Sequence, residues 1–469
     1  MDNKQPLGLD RARRKAEELL KDKEKAGRMV DPPPSMHSNS DLKINHLLFL
    51  IAMSVAVFLT VVKSTVDHTV SDPQGSLLLS QSISRNLTVK LDSYFDSYES
   101  AQEKYSYKVQ EKNGHIYYHY PVGTPLFSVP FVLISNSLGY DMFSDEGPTQ
   151  KVIAAILAVA IFLLLFFLAR LYLNTSSSIV VSSVFWFGTG LSSTLGAALW
   201  SHDFATFFSL FAILLTLTAH ENHQRPKWGF IAFFLFSAYL CRPTFSLLSP
   251  PIVLIIFTFN EKAAIKTAAT VGGFLVIFII FSWTEFYQLL PDYYLPRKLS
   301  GGHFIEAFLG SLISPARGLF IFSPFMLFPL FFFKKSWRIL SENKALLILL
   351  AWPLLHLITI SKFPMWWGGH SYGPRLMLDI LPAIYVILVI IYSEIDKKSK
   401  AFNIVIAVAV AFSIYVNTYQ GLFNLNTARW NAEPSIDQYP EYLWDWKYPQ
   451  FLHSEERHKN RLLEHNQNQ

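Results

Sequence analysis

The sequence predicts an all-α membrane protein built from a bundle of about 11 transmembrane helices. Hydrophobic residues make up 51% of the 469-residue chain, only 16% of the residues are charged, and the mean hydropathy is +0.26. Apolar runs close to the roughly 20 residues needed to cross a bilayer recur along most of the chain, separated by short polar stretches. The single cysteine, Cys241, lies inside one of these runs. A disulfide framework and a cysteine-based zinc site are therefore excluded.

A polar segment, residues 1–43, precedes the first apolar run. It mixes both charges and is rich in proline around "VDPPPSMHS", so we expect a cytoplasmic arm that is disordered, or helical through "LDRARRKAEELLKDKEKA". A secretory signal peptide would be shorter and would carry its positive charges closer to the apolar run. The first run is therefore expected to stay in the protein as a membrane span.

The charged loops between the apolar runs predict a topology. With the N-terminus inside, the inner loops include "HENHQRPKW", "NEKAAIK", "FKKSWR" and "EIDKKSK", all with Lys or Arg, as the positive-inside rule requires. The outer face then carries residues 63–151, 284–318, 361–374 and 422–469. We expect residues 44–421 to form the transmembrane bundle and residues 422–469 an outer tail. The predicted spans are residues 44–62, 152–173, 177–199, 204–219, 228–240, 245–259, 264–283, 319–333, 345–360, 376–392 and 401–419.

The first outer loop, residues 63–151, contains two apolar stretches that are too short or too broken to cross a bilayer. They are "SLLLSQSI" and the proline-interrupted "YPVGTPLFSVPFVLISNSLGY". Such stretches are typical of helices that lie along the membrane surface. We expect two interfacial helices that cap the outer mouth of the bundle.

Asp72 lies in this loop, in "VSDPQGSLLLSQSI", directly before a proline. An aspartate followed by proline is typical of a helix start, so Asp72 can act as an N-cap. A carboxylate at the membrane surface can also act as a general base that accepts the proton of an attacking hydroxyl. The two roles are compatible, because a capping carboxylate has a second oxygen. Asp67, nearer to the first span, is a rival candidate for the base.

His202 and Asp203, in "LWSHDFATFF", form a polar pair at the outer hairpin between the third and fourth predicted spans. An outer hairpin must be polar, so the pair can be an ordinary turn. A polar pair flush with two apolar helices nevertheless has little room to avoid facing the bundle. We take both residues as candidates for substrate binding.

Three arginines are predicted at span ends on the outer face. They are Arg242 in "YLCRPTFSLL", Arg317 in "LISPARGLFIFSPF" and Arg375 in "KFPMWWGGHSYGPRLMLDILP", which also contains His370. A single arginine at such a position can simply extend to the lipid headgroups. Several cations on one face of a bundle indicate an anion site, and the forked guanidinium suits a phosphate. All four residues are therefore candidate phosphate ligands.

Aromatic residues are frequent in the same outer segments, among them Tyr120 in "HIYYHYP" and the neighbouring Trp366 and Trp367. Most such residues are explained by the aromatic belt at a membrane interface. They can also stack on a sugar ring or contact a prenyl chain, so these three are further candidates for substrate binding. The triplet "NLT" at Asn86 matches an N-glycosylation acceptor.

The arrangement of one span, a long outer loop with an early aspartate, and a bundle of further spans resembles the polytopic glycosyltransferases of the GT-C fold. This group includes the protein O-mannosyltransferases and the aminoarabinose transferases that modify lipid A. Local motifs are similar to a bacterial branch: "SDPQGSLLLSQSI", "YPVGTPLFSVPF", "SHDFATFF", "RPT", "SPARGLFIFSPF", "WWGGHSYGPRLMLDILP" and "WNAEPSIDQYPEYLWDW".

The resemblance implies a sugar donor on polyprenyl phosphate and a glycan, lipid or protein acceptor at the outer face. It also implies an inverting transfer that needs no metal ion or depends on one only weakly. A bacterial member would lie in the inner membrane with its active site facing the periplasm. Some branches contact the donor phosphate with the lysine of a "KPP" motif, which reads "HYPVG" here. Arg242 or Arg375 would have to replace that lysine.

A transporter or flippase of lipid-linked glycans is the alternative function. Such a protein should have ionisable residues near mid-membrane and an internal repeat, whereas the ionisable residues here gather on one predicted face. A glycan ligase or polymerase would have its large outer loop late in the chain, and this chain has it early. Nothing in the sequence indicates a nucleic-acid partner, and no P-loop, GxSxG, HExxH or Rossmann motif occurs in a usable context.

Overall fold

The computed structural model describes residues 43–296, 299, 302–395 and 400–468. The predicted N-terminal arm, apart from Lys43, lies outside the described residues. In chain order the α-helices are α1 (Ile44–Val62), α2 (Ser76–Asn86), α3 (Tyr98–Tyr105), α4 (Gly123–Ser137), α5 (Glu146–Arg170), α6 (Thr175–Phe187), α7 (Gly190–Leu195), α8 (Ser201–Glu221), α9 (Trp228–Cys241), α10 (Ser249–Phe259), α11 (Glu261–Phe286), α12 (Phe304–Ile313), α13 (Leu319–Phe322), α14 (Phe333–Glu342), α15 (Lys344–Ile360), α16 (Leu381–Glu394), α17 (Lys400–Ile414), α18 (Gly421–Phe423), α19 (Asn426–Ala432) and α20 (Glu455–Asn468).

Shorter helical elements join several of these helices. The 3-10 helices cover Asp92–Tyr94, Ser106–Lys108, Pro243–Leu248, Asp292–Tyr294, Pro324–Phe332, Arg375–Ile380, Pro440–Trp444 and Gln450–Leu452, and a π-helix covers Tyr415–Gln420. The strands β1 (Val109–Lys112) and β2 (His115–Tyr118) form one antiparallel hairpin, in which Val109 pairs with Tyr118.

The mostly helical fold of a membrane protein is confirmed, but a count of about 11 spans is not. Within the described residues, six helices are long and apolar enough to cross a membrane, or seven spans if a pair bent by 103° counts as one. The six are Ile44–Val62, Glu146–Arg170, Ser201–Glu221, Glu261–Phe286, Arg375–Glu394 and Lys400–Phe423, and the bent pair is Pro324–Glu342 with Lys344–Ile360. Three further predicted spans correspond to the shorter apolar helices Thr175–Phe187, Trp228–Cys241 and Pro243–Phe259.

The predicted spans are broken where the sequence places residues that interrupt a helix. The span at 177–199 is divided because Gly188 is the C-cap of α6 and Thr189 caps α7, its hydroxyl accepting the Leu191 N–H. The span at 245–259 begins instead as a 3-10 helix at Pro243, and the α-helix starts only at Ser249. Pro250 and Pro251 suit the first turn of an α-helix but would interrupt one that continued from residue 243, because proline has no backbone N–H to donate. Helix α5 begins at Glu146, six residues before the predicted start at 152.

The bundle has an inner and an outer set of helices. Most residues of α5, α8 and the segment Arg375–Glu394 are buried, whereas few residues of α1, α11 and Lys400–Phe423 are. Helix α8 packs against both α5 and α9, and α9 packs against α11. The exposed helices are apolar, which is the pattern expected of helices that face lipid.

The first outer loop contains helices at both predicted positions, because α2 covers "SLLLSQSI" and α4 covers most of the proline-broken stretch. The two helices pack against each other. Helix α3 and the hairpin were not expected from the sequence. A signal for the hairpin is present: Asn113 and Gly114 both have positive φ, 54° and 75°, as a tight two-residue hairpin turn requires.

Close packing joins this loop to the bundle. A Cβ atom at Gly123, the first residue of α4, would lie against the backbone of Leu240 and Cys241, far inside van der Waals contact. Only glycine permits this approach. The start of α4 is thereby fixed next to Arg242, the residue that follows α9.

The predicted outer tail is folded, and we call residues 426–468 the C-terminal segment. Its buried side chains Trp430, Ile436 and Leu443 form an apolar cluster with Trp366 and with Ala316. The segment therefore packs on the turn between α12 and α13 and on the loop that follows α15.

Candidate active site

A cavity of about 710 Å³ opens where the segments predicted on the outer face come together. The first outer loop, the start of α8, the turn after α9 and the loop before Arg375 all contribute to its wall. Its polar and aromatic lining includes Asp67, His68, Asp72, Tyr107, Lys108, Tyr120, Trp200, His202, Arg242, Tyr293, His370, Arg375 and Asp437.

Asp72 lies in the cavity wall with both carboxylate oxygens engaged. Oδ1 accepts hydrogen bonds from the hydroxyls of Tyr120 at 2.7 Å and Tyr107 at 3.1 Å. Oδ2 accepts from the guanidinium of Arg375 at 3.0 Å. These bonds aim the carboxylate and leave its remaining lone pairs as the only positions for another proton donor.

Asp72 is not a helix N-cap, which corrects the prediction. Helix α2 begins at Ser76, and its N-cap position is taken by Gly75 with φ 93° and no side-chain cap. The carboxylate of Glu146 instead accepts the backbone N–H groups of Gly75 and Leu77, at 2.8 to 2.9 Å. A negative charge at this helix end is favourable because it satisfies exposed N–H groups and opposes the helix dipole.

The surroundings of Asp72 favour its charged form. Burial raises the pKa of a carboxyl, but the positive charge of Arg375 and the hydrogen bonds from Tyr120 and Tyr107 outweigh burial, so the pKa of Asp72 lies below its ordinary 3.8. Burial and the nearby Asp72 charge raise the pKa of both tyrosine hydroxyls. At neutral pH the carboxylate is therefore ionised and both tyrosines remain hydrogen-bond donors.

Arg375 connects Asp72 to the aromatic wall of the cavity. Its guanidinium lies 4.6 Å from the centre of the Trp200 ring, a cation–π contact. Its Nε–H has no hydrogen-bond partner within the described residues. The side chain is largely buried. Because no described residue pairs with this Nε–H, the guanidinium can donate a further hydrogen bond inside the cavity.

Arg242 forms an ion pair with the buried carboxylate of Asp379. Its Nε lies 2.8 Å from both oxygens of Asp379, which also accepts the hydroxyl of Thr244. Asp379 was missed in the sequence, although a single acid in an apolar run is a signal of function. The anchored Arg242 lines the cavity, and within the described residues its side-chain hydrogen bonds all come from Nε.

Several residues of this lining were not predicted from the sequence: His68, Tyr107, Lys108, Trp200, Tyr293 and Asp437. Lys108 lines the wall beside Asp72, and its ammonium donates to Gln74 at 2.8 Å. His68 also lines the wall, and burial together with the charge of Arg375 lowers its pKa to about 4, so it is neutral at pH 7. Tyr293 comes from the segment after α11. Lys108 therefore adds a further cation to the cavity wall from the 3-10 helix that precedes the hairpin.

The remaining predicted residues divide into two groups. Asp67, Tyr120, His202 and His370 line the cavity together with Asp72, Arg242 and Arg375. Asp67 is about half exposed at the rim, where Lys151 lies 3.7 Å from it. Asp203, Arg317, Trp366 and Trp367 are not part of the cavity wall.

The residues of this second group are all held away from the cavity. Asp203 is fully buried in the first turn of α8, and neither of its oxygens has a partner within the described residues. Arg317 is buried with its N–H groups donated to protein oxygens. Trp366 is buried in the cluster of the C-terminal segment, and Trp367 donates its indole N–H to Asp437 at 2.8 Å.

An apolar groove of about 390 Å³ adjoins the cavity. Arg242, Tyr293, Phe363 and Leu376 line both spaces. Away from these shared residues, the groove is lined by the turn after α9, the segment around Leu295 and the end of α15. Within the described ranges, no group of three or more His, Cys, Asp or Glu side chains is placed to hold a metal ion.

Comparison with known proteins supports the assignment drawn from the sequence. Residues 129–284 match the family model described as dolichyl-phosphate-mannose-protein mannosyltransferase, a family of the GT-C fold. The match confirms the resemblance to the GT-C enzymes and supports a membrane glycosyltransferase of the mannosyltransferase type. It contains Arg242 and His202 but neither Asp72 nor Arg375. No curated protein and no solved structure matches the chain.

Proposed function

We propose that the protein transfers a sugar, with mannose the first candidate, from a polyprenyl-phosphate donor to an acceptor hydroxyl, with Asp72 as the general base. The observation that carries the proposal is the meeting of Asp72, Arg375 and Arg242 in one cavity that continues into an apolar groove. The matched family suggests mannose. We further propose a bacterial inner membrane and a periplasmic cavity, in keeping with the charged inner loops.

The donor fits the two joined spaces by its chemistry. A polyprenyl phosphate sugar has an apolar chain, an anionic phosphate and a polar sugar ring in that order. The groove suits the chain, and Arg242 lies where the groove meets the cavity. The phosphate would therefore lie between Arg242 and Arg375, and the sugar ring would lie in the cavity beside Asp72.

The proposed reaction is a single inverting displacement. The acceptor oxygen attacks the anomeric carbon, its proton passes to Asp72, and the bond between that carbon and the phosphate oxygen breaks. The polyprenyl phosphate leaves with the electron pair, and its charge is stabilised by the two guanidinium groups. No step requires the protein to supply more than a base and fixed positive charge.

Donor binding would also strengthen the base. Arg375 lowers the pKa of Asp72 in the empty cavity. A phosphate beside Arg375 would offset part of that positive field and raise the basicity of the carboxylate. Asp72 would thus become a better proton acceptor when the donor is in place.

Reconstitution tests the proposal. Purified protein in proteoliposomes would be given labelled polyprenyl-phosphate mannose and a panel of hydroxyl acceptors, with the Asp72→Asn variant as the matched control. We expect labelled acceptor and free polyprenyl phosphate with the wild type and neither with the variant. Movement of intact donor across the bilayer, without transfer and in both proteins, would instead establish the transporter alternative.

A further inference from the structure

The loop of residues 366–375, "WWGGHSYGPR", which we call the glycine loop, brings His370 and Arg375 to the cavity. Gly368, Gly369 and Gly373 have φ of 72°, 69° and 58°. Positive φ is accessible to glycine at little cost and prevents a regular helix or strand. The glycine loop therefore lacks a secondary-structure ladder and depends on other parts of the chain for its shape.

Arg317 supplies one set of these contacts. Its Nε donates to the carbonyl of Trp367 at 2.8 Å, and one terminal nitrogen donates to the carbonyl of Gly369 at 3.2 Å. The other donors reach Ala316 O, Gln450 Oε1 and Asn431 Oδ1. All five N–H groups of a guanidinium are accounted for in this way, so Arg317 joins the glycine loop to the C-terminal segment.

Gln450 and Asn431 complete the connection from the side of the C-terminal segment. Gln450 accepts the Gly373 N–H at 3.1 Å and donates to the carbonyl of Ser371 at 3.2 Å. Asn431 donates to the same Ser371 carbonyl at 3.1 Å. These amides are buried, so each lost bond would leave an unsatisfied polar group.

The same segment also reaches the cavity itself through Asp437. The Trp367 indole N–H donates to Oδ1 of Asp437 at 2.8 Å, and His370 Nε2 lies 3.4 Å from Oδ2. Asp437 lines the cavity and is partly exposed to it. The carboxylate of Asp437 is negative, whereas the proposed phosphate ligands Arg242 and Arg375 are positive, so Asp437 is not suited to bind the donor phosphate. Carboxylates are good acceptors for sugar or alcohol hydroxyls.

We propose that the C-terminal segment forms the acceptor side of the active site. Asp437 is the specificity-determining residue that accepts a hydroxyl of the acceptor. Arg317, Asn431 and Gln450 are positioning residues that hold Asp437 and the glycine loop in register. This inference rests on the proposed function, because an acceptor subsite is meaningful only for a transferase.

The specificity role is tested by Asp437→Asn, which keeps an oxygen for the Trp367 indole N–H. We expect KM for the acceptor to rise on the order of tenfold, with donor binding and thermal unfolding unchanged. The control is Glu441→Gln, the same charge change at an exposed position of the same segment, which should leave both constants unchanged. Equal acceptor KM in wild type and Asp437→Asn would overturn the proposal, as would a rise in donor Kd of the same size.

The positioning role is tested by amide hydrogen exchange on the full-length protein in detergent, which needs no substrate. In Gln450→Leu we expect exchange across residues 367–375 to rise at least tenfold relative to the wild type. The control is Tyr385→Phe, which removes a buried hydroxyl bonded to Ser182 and Leu165 inside the bundle. Unchanged exchange in Gln450→Leu, or an equal rise in both variants, would overturn the positioning role. The exchange experiment tests only the positioning role. The proposed function fails separately if no acceptor is glycosylated in the reconstituted assay.

Discussion

The surroundings of Asp72 and Asp67 differ although the two lie close in sequence. Asp72 is bonded to two tyrosine hydroxyls and one guanidinium. Asp67 is half exposed, and one of its oxygens accepts the backbone N–H of Thr69 in its own turn. A general base must be held within reach of the proton that it accepts, and of these two carboxylates Asp72 is the one held in a fixed direction inside the cavity.

We predict that Asp72→Asn lowers turnover by roughly 100- to 10,000-fold, the usual worth of a general base. Asparagine keeps the size of the side chain and an oxygen for the tyrosines, so donor binding should survive. The measurement is single-turnover transfer from labelled donor, with donor affinity determined separately. Asp67→Asn serves as the control and should retain most activity. Loss in Asp67→Asn alone would assign the base to that residue, and full activity in both would contradict the mechanism.

Arg375→Gln should shift the pH dependence of the reaction. A protonated carboxyl cannot accept a proton, so the rate falls as pH drops through the pKa of Asp72. Arg375 keeps this pKa below 3.8 in the wild type, so the acid limb of kcat/KM lies below that pH. Without the guanidinium the pKa rises, and we expect the limb to move to higher pH, measured as kcat/KM against pH.

His68 is the group that needs a control in this experiment. Its pKa, about 4, is also lowered by Arg375, so it too would titrate at higher pH in the variant. Arg375→Gln combined with His68→Gln separates the two groups. A limb that stays shifted in the double variant belongs to Asp72, and a limb that returns to the wild-type position belongs to His68.

At the scale of elements, the site depends on how helix ends are fixed. Glu146 begins α5 and also satisfies the N–H groups at the start of α2. Gln150, one turn further along α5, donates to the carbonyls of Thr69 and Pro73. The turn that carries Asp72 is therefore held between a buried helix of the bundle and the first helix of the outer loop.

The contact of α4 with the end of α9 predicts opposite effects for two glycine substitutions. Gly123→Ala would force a methyl group into the backbone of Leu240 and Cys241, and we expect a loss of about 1–3 kcal/mol or more in stability. Gly272→Ala, in the interior of α11, meets nothing within 4 Å and should stabilise by roughly 0.5–1 kcal/mol. The measurement is thermal unfolding in the same detergent. Equal midpoints would show that the close approach is not needed.

At the scale of the whole molecule, the sequence predicts what depends on short stretches of chain. The apolar runs, the two helices of the outer loop and the face that carries the ionisable residues follow from local composition. Local patterns indicate both Asp72 and Arg375 as candidates, yet the ion pair between them joins positions 303 residues apart. Such a pairing is set by the packing of the helices, which no local pattern encodes.

Arg242 and Arg317 also show that local sequence does not determine which side chains line the cavity. Both are arginines at the end of an apolar run within two residues of a proline, and no local pattern distinguishes them. Asp379 holds one edge of Arg242 and leaves the rest for the cavity. Asn431 and Gln450, more than 100 residues away in sequence, help to occupy Arg317 completely. The two arginines therefore differ because of partners that are distant in sequence.

The proposed path of the donor runs along the groove beside Arg242. If the groove beside Arg242 holds the prenyl chain, filling it should weaken binding in proportion to chain length. Thr359 lines the groove near the end of α15, so Thr359→Trp would occupy the space that the chain needs. We expect KM to rise severalfold for a long-chain donor and to stay unchanged for a short-chain analogue, because each buried CH₂ contributes about 0.8 kcal/mol. Leu355→Trp, one turn away at an exposed position of the same helix, controls for the added indole. An equal rise in KM for both donors in Thr359→Trp would place the prenyl chain outside this groove. A rise confined to the long-chain donor would show that the chain runs from the arginines of the cavity through this groove.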